Sequence, residues 1–300
     1  MKFFIFIQFV DLLNVFYSYI DTCQHSNADK IRNDKKMKQL KSRSQDLRRL
    51  FENSITIEYV AESLKAFPAQ TEATEVLGWM EERDFDVVGI ETEGIISGYV
   101  ERVSLREGNS GKCSHYQQVF HPKELIAIST PLIKLLPLLQ HNPRLFVLDC
   151  NEVSGIITHG DLQKAPVRML LFSLVTLLEM NLLRLVRNYY AQDSWQQALK
   201  PERLQAAQKL WRESQARNEA TELLDYLQFG DKRDLVLQHP ELFEQLGLKS
   251  RRFAERFFKN AEQLRNRLAH AQDLVNGSSW TELISLAEEM EQLLIQCEQM

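Results

Sequence analysis

Two regimes of hydrophobic spacing divide the chain. In the first, apolar residues come in short runs bounded by Asn, Gly and acidic residues, which predicts buried strands. These runs are Phe85 to Ile90, Gly94 to Val100, Leu145 to Asp149 and Val153 to Ile157, with Cys150-Asn151-Glu152 as a tight hairpin. Helical segments precede each pair of strands at Thr74 to Met80 and Thr130 to Leu139. Aligning Gly98 with Gly155 superimposes the two sets as an internal repeat of 57 residues. A β-β-α unit that leaves a face open gains stability by pairing with its copy.

From Pro166 onward every periodic signal is helical. Val167, Leu170, Leu171, Leu174, Leu178, Leu182, Leu185 and Tyr189 recur at three- and four-residue steps behind a proline suited to a first helical position. Ser194-Trp195-Gln196-Gln197 reads as a capping-box start, Pro201 opens a helix to about Arg217, and Ala220 to Phe229 a shorter one before Gly230. His239-Pro240 and Gly247 punctuate the next connection. Ser250 caps a helix striped by Phe253, Phe257, Ala261, Leu264 and Leu268, and Ser279-Trp280-Thr281-Glu282 opens the last. The fold class is therefore an α+β pair followed by an all-α bundle of about four to six helices. The division reads as a leader over 1–53, the paired repeat over 54–165 and the bundle over 166–300.

Composition narrows the function classes. A formal charge of −5 argues against coating nucleic acid by bulk electrostatics, so any anion-binding face must be local. Cys23, Cys113, Cys150 and Cys297 lack C-x-x-C spacing, which indicates neither a disulfide framework nor a zinc site, and suits a reducing cytoplasm. Met1 to Ile20 is apolar, but Asp11 interrupts it and Tyr19-Ile20-Asp21-Thr22-Cys23 offers no small-residue cleavage site. A start at Met37 would remove that segment, and the leader reads as an over-extended or disordered lead-in. Lys30 to Arg49 carries a net charge of +7, read as a solvated lead-in with an amphipathic end. Met169 to Val186 contains Glu179 and Arg184, so it reads as a buried helix and no membrane partner is expected.

The repeat and the segment Gly155-Ile156-Ile157-Thr158-His159-Gly160-Asp161-Leu162 resemble a tandem cystathionine-β-synthase-type (CBS) domain pair over roughly Ser54 to Ala165. That family's ligand motif is Gly, two apolar residues, Thr or Ser, two variable residues, then Asp and an apolar residue, and the second copy matches it throughout. The resemblance implies an adenosine nucleotide, AMP, ADP or ATP, as regulatory ligand, with Gly155, Thr158 and Asp161 as its site. Thr158 would help hold a phosphate at a strand-to-helix handover and Asp161 would accept from the ribose diol. The alternative is that Thr158 and Asp161 form only a helix cap. The first copy departs from the motif, with Glu101 where Thr is expected and Ser104 where Asp is expected, and a carboxylate there repels phosphate.

Arg265-Asn266-Arg267-Leu268-Ala269-His270 at the end of the penultimate long helix resembles the R-x4-6-H signature of HEPN ribonucleases, and the likeness covers about Pro166 to Met300. It implies a metal-independent endoribonuclease that needs no cofactor, attacks with the RNA's own 2′-hydroxyl and leaves 2′,3′-cyclic phosphate. His270 would move the proton, Arg265 would stabilise phosphate charge, and Asn266 would orient the imidazole or contact phosphate. Arg265 and His270 point about 140° apart on an ideal helix, so a helix end or a dimer must bring them together. Glu179 falls in a row with Val175, Leu182 and Val186, so it should be part-buried and need a cationic partner, either as a site residue or as a bundle salt bridge. Arg251, Arg252, Arg256, Lys259, Arg265 and Arg267 give that helix a net charge of +4 over two glutamates.

Two main readings follow, beside that of a purely structural homodimer binding neither ligand. In one, a nucleotide-sensing CBS pair regulates a HEPN-type ribonuclease with RNA as substrate. In the other, a non-catalytic regulator uses the bundle for dimerisation or partner binding. Either implies a homodimer, the apolar helices of the pair and the Leu-rich first helix of the bundle being the surfaces to cover.

Overall fold

The computed structural model describes residues 44–300, Asn109 and 218–220 excepted. The apolar start, Met37 and most of the basic lead-in lie outside the described residues. The first described element, α1 (Ser44–Asn53), buries Leu47 and Phe51 and joins the bundle through an Arg48–Glu291 ion pair of 2.6 Å. The lead-in's amphipathic end is thus a docked helix within the compact unit.

Two short strands, β1 (Glu62–Ser63) and β2 (Ala66–Pro68), precede the first copy's helix α2 (Ala73–Arg83). The strands β3 (Val87–Thr92) and β4 (Ile95–Glu101) follow, and then α3 (Arg102–Gly108). The second copy runs β5 (Leu125–Ala127), a 3-10 turn into α4 (Leu135–His141), β6 (Arg144–Asp149), β7 (Glu152–Thr158) and a 3-10 turn over His159–Gln163. The 57-residue offset carries both ends of β3 and β4 onto β6 and β7. It also carries the register shift between Ile90 and Glu91 onto the one between Val147 and Leu148. Both hairpins close on two residues of positive φ, Glu93 (55°) with Gly94 (83°) and Cys150 (47°) with Asn151 (69°), the turn whose twist matches that of its strands.

The structure adds what periodicity could not show. β2 pairs parallel with β3, and β5 with β6, so each copy is a β-α-β-β unit and not the β-β-α unit expected. Strands of two or three residues are too short to alternate visibly. β1 crosses over to the other copy, pairing Glu62 with Ile156 and Ser63 with Gly155, so the sheets are β2-β3-β4 and β1-β7-β6-β5. One core, including Val76, Met80, Val88, Ile90 and Leu105, lies between the first sheet and its helices. Another, built on Tyr99, Phe146, Leu64 and Val87, lies between the two sheets.

The bundle opens with α5 (Ala165–Tyr189), long and apolar enough to cross a membrane, but eleven of its residues are buried within this chain. Its leucine stripe, expected to need a second copy, is covered by the bundle's own helices, and Met180 is its large exposed apolar residue. Next come α6 (Trp195–Ala198), four residues without the expected Ser194 side-chain cap, and α7 (Pro201–Gln215). The helix expected over Ala220 to Phe229 does not form among the described residues of that range. Leu223–Tyr226 is a 3-10 turn, and α8 (Phe229–Gln238) runs through Gly230, because Asp231 accepts from the Gln228 N–H at 3.0 Å and so starts the helix later. The connection expected at His239-Pro240 contains α9 (Pro240–Gln245). α10 (Arg251–Ala269) and α11 (Trp280–Gln299) carry the expected caps, the Ser250 and Ser279 hydroxyls accepting from Phe253 N and Glu282 N at 3.1 and 3.2 Å. Cys113, Cys150 and Cys297 are free thiols, and burial pushes Cys297 up to about 12.

Candidate functional site

Gly155, Thr158 and Asp161 lie on β7 and in the 3-10 turn that follows it. Asp161 is buried, and Oδ2 of its carboxylate accepts from the Thr158 N–H at 2.7 Å and from the Thr158 hydroxyl at 3.0 Å. Its other oxygen meets Lys164 Nζ at 2.9 Å. The Lys164 ammonium also donates to Val60 O at 2.6 Å and pairs with Glu62, which ties the turn to the segment around β1. Burial works against that charge, but the Glu62 and Asp161 carboxylates outweigh it and leave the lysine raised. The cap geometry is thus formed, and a ribose diol would have to take Oδ atoms already shared by Thr158 and Lys164. Gly155 has a packing role. A Cβ there would lie 2.9 Å from Glu62 O, so the missing side chain lets β1 approach β7.

At the position equivalent to Thr158, the end of β4 presents Glu101, which forms an ion pair with Arg144 at the start of β6. Arg144 is the register partner of Thr158, so their side chains share a face. The guanidinium lies over the rings of Tyr99 and Phe146, at 5.1 and 5.8 Å. Burial disfavours its charge, and the hydrogen-bonded Glu101 carboxylate more than restores it. Its Nε is buried without a partner among the described residues, an arrangement that costs about 1–3 kcal/mol. Arg144 and Lys164 escaped the sequence reading, because a strand-end arginine and a lysine past a motif carry no spacing signal.

In the bundle the structure brings Glu179 and Arg265 together. Part-buried Glu179 on α5 takes a cation from each of two helices, Lys232 Nζ of α8 at 2.8 Å and Arg265 Nε of α10 at 3.9 Å. Arg265 also donates to Asn266 Oδ1 at 3.3 Å. Lys232 is the member that sequence reasoning missed, since Asp231-Lys232-Arg233-Asp234 fell in a segment read as a connection. Flanking pairs extend the network, Arg203 with Asp231 at 2.7 Å and Arg233 with Glu262 at 3.2 Å.

His270 is not part of that network. It ends α10, exposed, and no hydrogen bond or ion pair joins its ring to Arg265, Asn266 or Glu179 among the described residues. It closes an exposed stripe, Arg252, Arg256, Lys259, Gln263, Asn266 and His270, at three- and four-residue steps. Two other basic residues of α10 are used in folding. Arg251 donates to Leu237 O at 2.9 Å, and Arg267 holds the next loop through Leu274 O at 2.8 Å and Asn276 O at 2.6 Å. No group of three His, Cys, Asp or Glu suited to a metal ion occurs among the described residues.

The two candidate segments touch through their loops. His159, between Thr158 and Asp161, stacks on Trp280 at 6.1 Å and bonds Leu139 O at 2.9 Å. Gln163 donates to Asp273 at 3.0 Å and accepts from Leu274 N at 3.3 Å. Arg168, whose charge burial disfavours, donates to Gln272 O at 3.0 Å and Arg267 O at 3.2 Å. The segment following His270 is therefore seated on the turn that contains Asp161 and on the start of α5. A cavity of about 170 Å³ opens between Arg187, Trp195 and Glu222, and none of the candidate residues lines it.

No protein-family model and no curated protein sequence matches the chain. Among solved structures it is similar to a conserved CBS-domain protein of Thermoplasma acidophilum, 17% identical over 37% of this chain and 68% of that one, with a TM-score of 0.31. It is also similar to the CBS-pair protein CBSX2 of Arabidopsis thaliana, 16% identical over 38% and 95%, with a TM-score of 0.33. A structure of CBSX2 in complex with AMP gives 18% identity over 39% and 98%, with a TM-score of 0.34.

Proposed function

We propose that the chain is a nucleotide-responsive regulatory protein, in which a CBS-type pair over 54–165 acts on the helical bundle over 166–300. One observation carries this reading. The turn bearing Thr158 and Asp161 is also the surface on which the loop after His270 sits, through His159, Gln163 and Arg168. A ligand that moved Asp161 off Thr158 and Lys164 would move that loop as well. The proposed ligand is an adenosine nucleotide, and the proposed assembly is a cytoplasmic homodimer.

Thermal melting in millimolar AMP, ADP or ATP tests the reading. A ligand present at 100 times its Kd adds about 2.7 kcal/mol, which for a unit of this size raises Tm by roughly 5–10 °C. Asp161→Ala should lower the unliganded Tm by removing the cap, and should abolish the ligand shift. Melting curves unchanged by all three nucleotides would leave Thr158 and Asp161 as a helix cap and remove the proposal.

The Glu179–Arg265 contact favours a second reading, in which the bundle cleaves RNA. On this reading Arg265 and Asn266 bind phosphate, Glu179 aligns Arg265, and His270 of a second copy supplies the proton carrier that the same protomer does not bring near. Single-stranded RNA incubated with the protein in EDTA should then yield 2′,3′-cyclic phosphate ends, with DNA left intact. His270→Ala should lose that activity at least a hundredfold while its melting curve stays unchanged. RNA left whole with and without nucleotide would return the bundle to a purely regulatory role.

A further inference from the structure

We propose that Arg144 is a phosphate-reading residue of the Thr158–Asp161 site and that Glu101 is its built-in competitor. The inference rests on the nucleotide reading and adds a switch to it. Four observations converge at one rim of the contact between the two sheets. Arg144 and Thr158 are register partners on β6 and β7, so a phosphate bound at Thr158 arrives beside the guanidinium. Glu101, at the position that the 57-residue offset equates with Thr158, neutralises that guanidinium from the other sheet. The Tyr99 and Phe146 rings support the guanidinium from the apolar side, so its reach is set by packing. Nε is buried without an acceptor among the described residues, so the Glu101 pair leaves one donor of the fork unused.

A phosphate offers three oxygens to a planar fork that Glu101 engages through one nitrogen, and Arg exchanges a single contact for a bidentate one readily. The incoming charge also repels the Glu101 carboxylate. Its side chain is one-third exposed and can turn to solvent. Phosphate binding would therefore break the ion pair between β4 and β6, so occupancy is read out as a loosened contact between the two copies. The same pair explains how a carboxylate is tolerated where the motif of the first copy calls for a hydroxyl. Lys164 is held by the Glu62 and Asp161 carboxylates, so Arg144 is the cation that this site offers a phosphate.

Calorimetric titration of the full chain with AMP and with adenosine tests this, using Glu101→Gln, Arg144→Met and the double variant, in which no lone charge is left behind. The expected result is AMP bound about tenfold tighter by Glu101→Gln and at least tenfold weaker by the double variant, with adenosine affinity equal in all folded forms. AMP bound equally by the wild type and every variant would overturn the role of Arg144 and leave the nucleotide site standing. AMP and adenosine bound by none of the forms, Glu101→Gln included, would overturn the nucleotide reading and the switch with it.

Discussion

Glu179→Ala is expected to destabilise the folded protein by about 3–5 kcal/mol, the cost of leaving a buried cation without its partner. The stranded group is Lys232, whose side chain is 7% exposed and whose ammonium meets Glu179 at 2.8 Å. For a unit of this size the loss corresponds to a fall in Tm of roughly 10 °C. Arg265 contributes little to that figure, since it is nearly half exposed and lies 3.9 Å away. The paired variant Glu179→Leu with Lys232→Met should recover most of the lost stability, because an apolar pair of similar volume needs no desolvation compensation. Thermal and urea unfolding of both variants measure this. A single variant that melts like the wild type would show Lys232 able to reach water, and would free Glu179 from its structural role. On the ribonuclease reading, the paired variant would stay folded and still lose activity, which separates the two duties of this carboxylate.

Phe146→Ala should be of comparable size, about 3–5 kcal/mol for emptying a fully buried aromatic site. Phe146 is wholly buried between the sheets, its ring centroid 4.7 Å from that of Tyr99 and 4.6 Å from that of Phe120. Removing it also withdraws one of the rings beneath Arg144. The variant should therefore lose stability and, on the nucleotide reading, AMP affinity together. Phe146→Leu should keep more of the stability, because it leaves a smaller void. Calorimetric unfolding measures the first effect and titration with AMP the second. A loss below 1 kcal/mol for the alanine variant would show that the sheets repack without the ring, and that the two copies are held mainly by β1 crossing over.

Individual residues show where the two halves differed in legibility. β3, β4, β6 and β7 were readable because each is a run of apolar residues, each pair closes on a turn holding one residue that tolerates positive φ, Gly94 or Asn151, and the offset of 57 survives to the residue. β2 and β5 were not, being three residues each and fixed only by pairing with a strand further along. α5, α10 and α11 announced themselves through stripes and caps, whereas α8 was displaced because Gly230 reads as a stop until Asp231 is seen to begin the helix. Of the candidate residues, Glu179 was identified with its need for a cation, since its helical row is buried. That need is local information. Which cations answer it is not, for Lys232 and Arg265 come from α8 and α10.

Local spacing along the chain is enough for the repeat, the hairpins and their turns, the order of the long helices and the Thr158–Asp161 cap. Each of these depends on residues a few positions apart, where steric limits on φ and hydrogen bonds to neighbouring amides decide the outcome. Long-range packing placed β1 in the second sheet, set Arg144 against Glu101, and seated the loop after His270 on the turn after Thr158. Those contacts join segments far apart in the chain, by backbone pairing for β1 and elsewhere through side chains long enough to reach several partners. Close packing of the cores selects among them, and no local pattern records that selection.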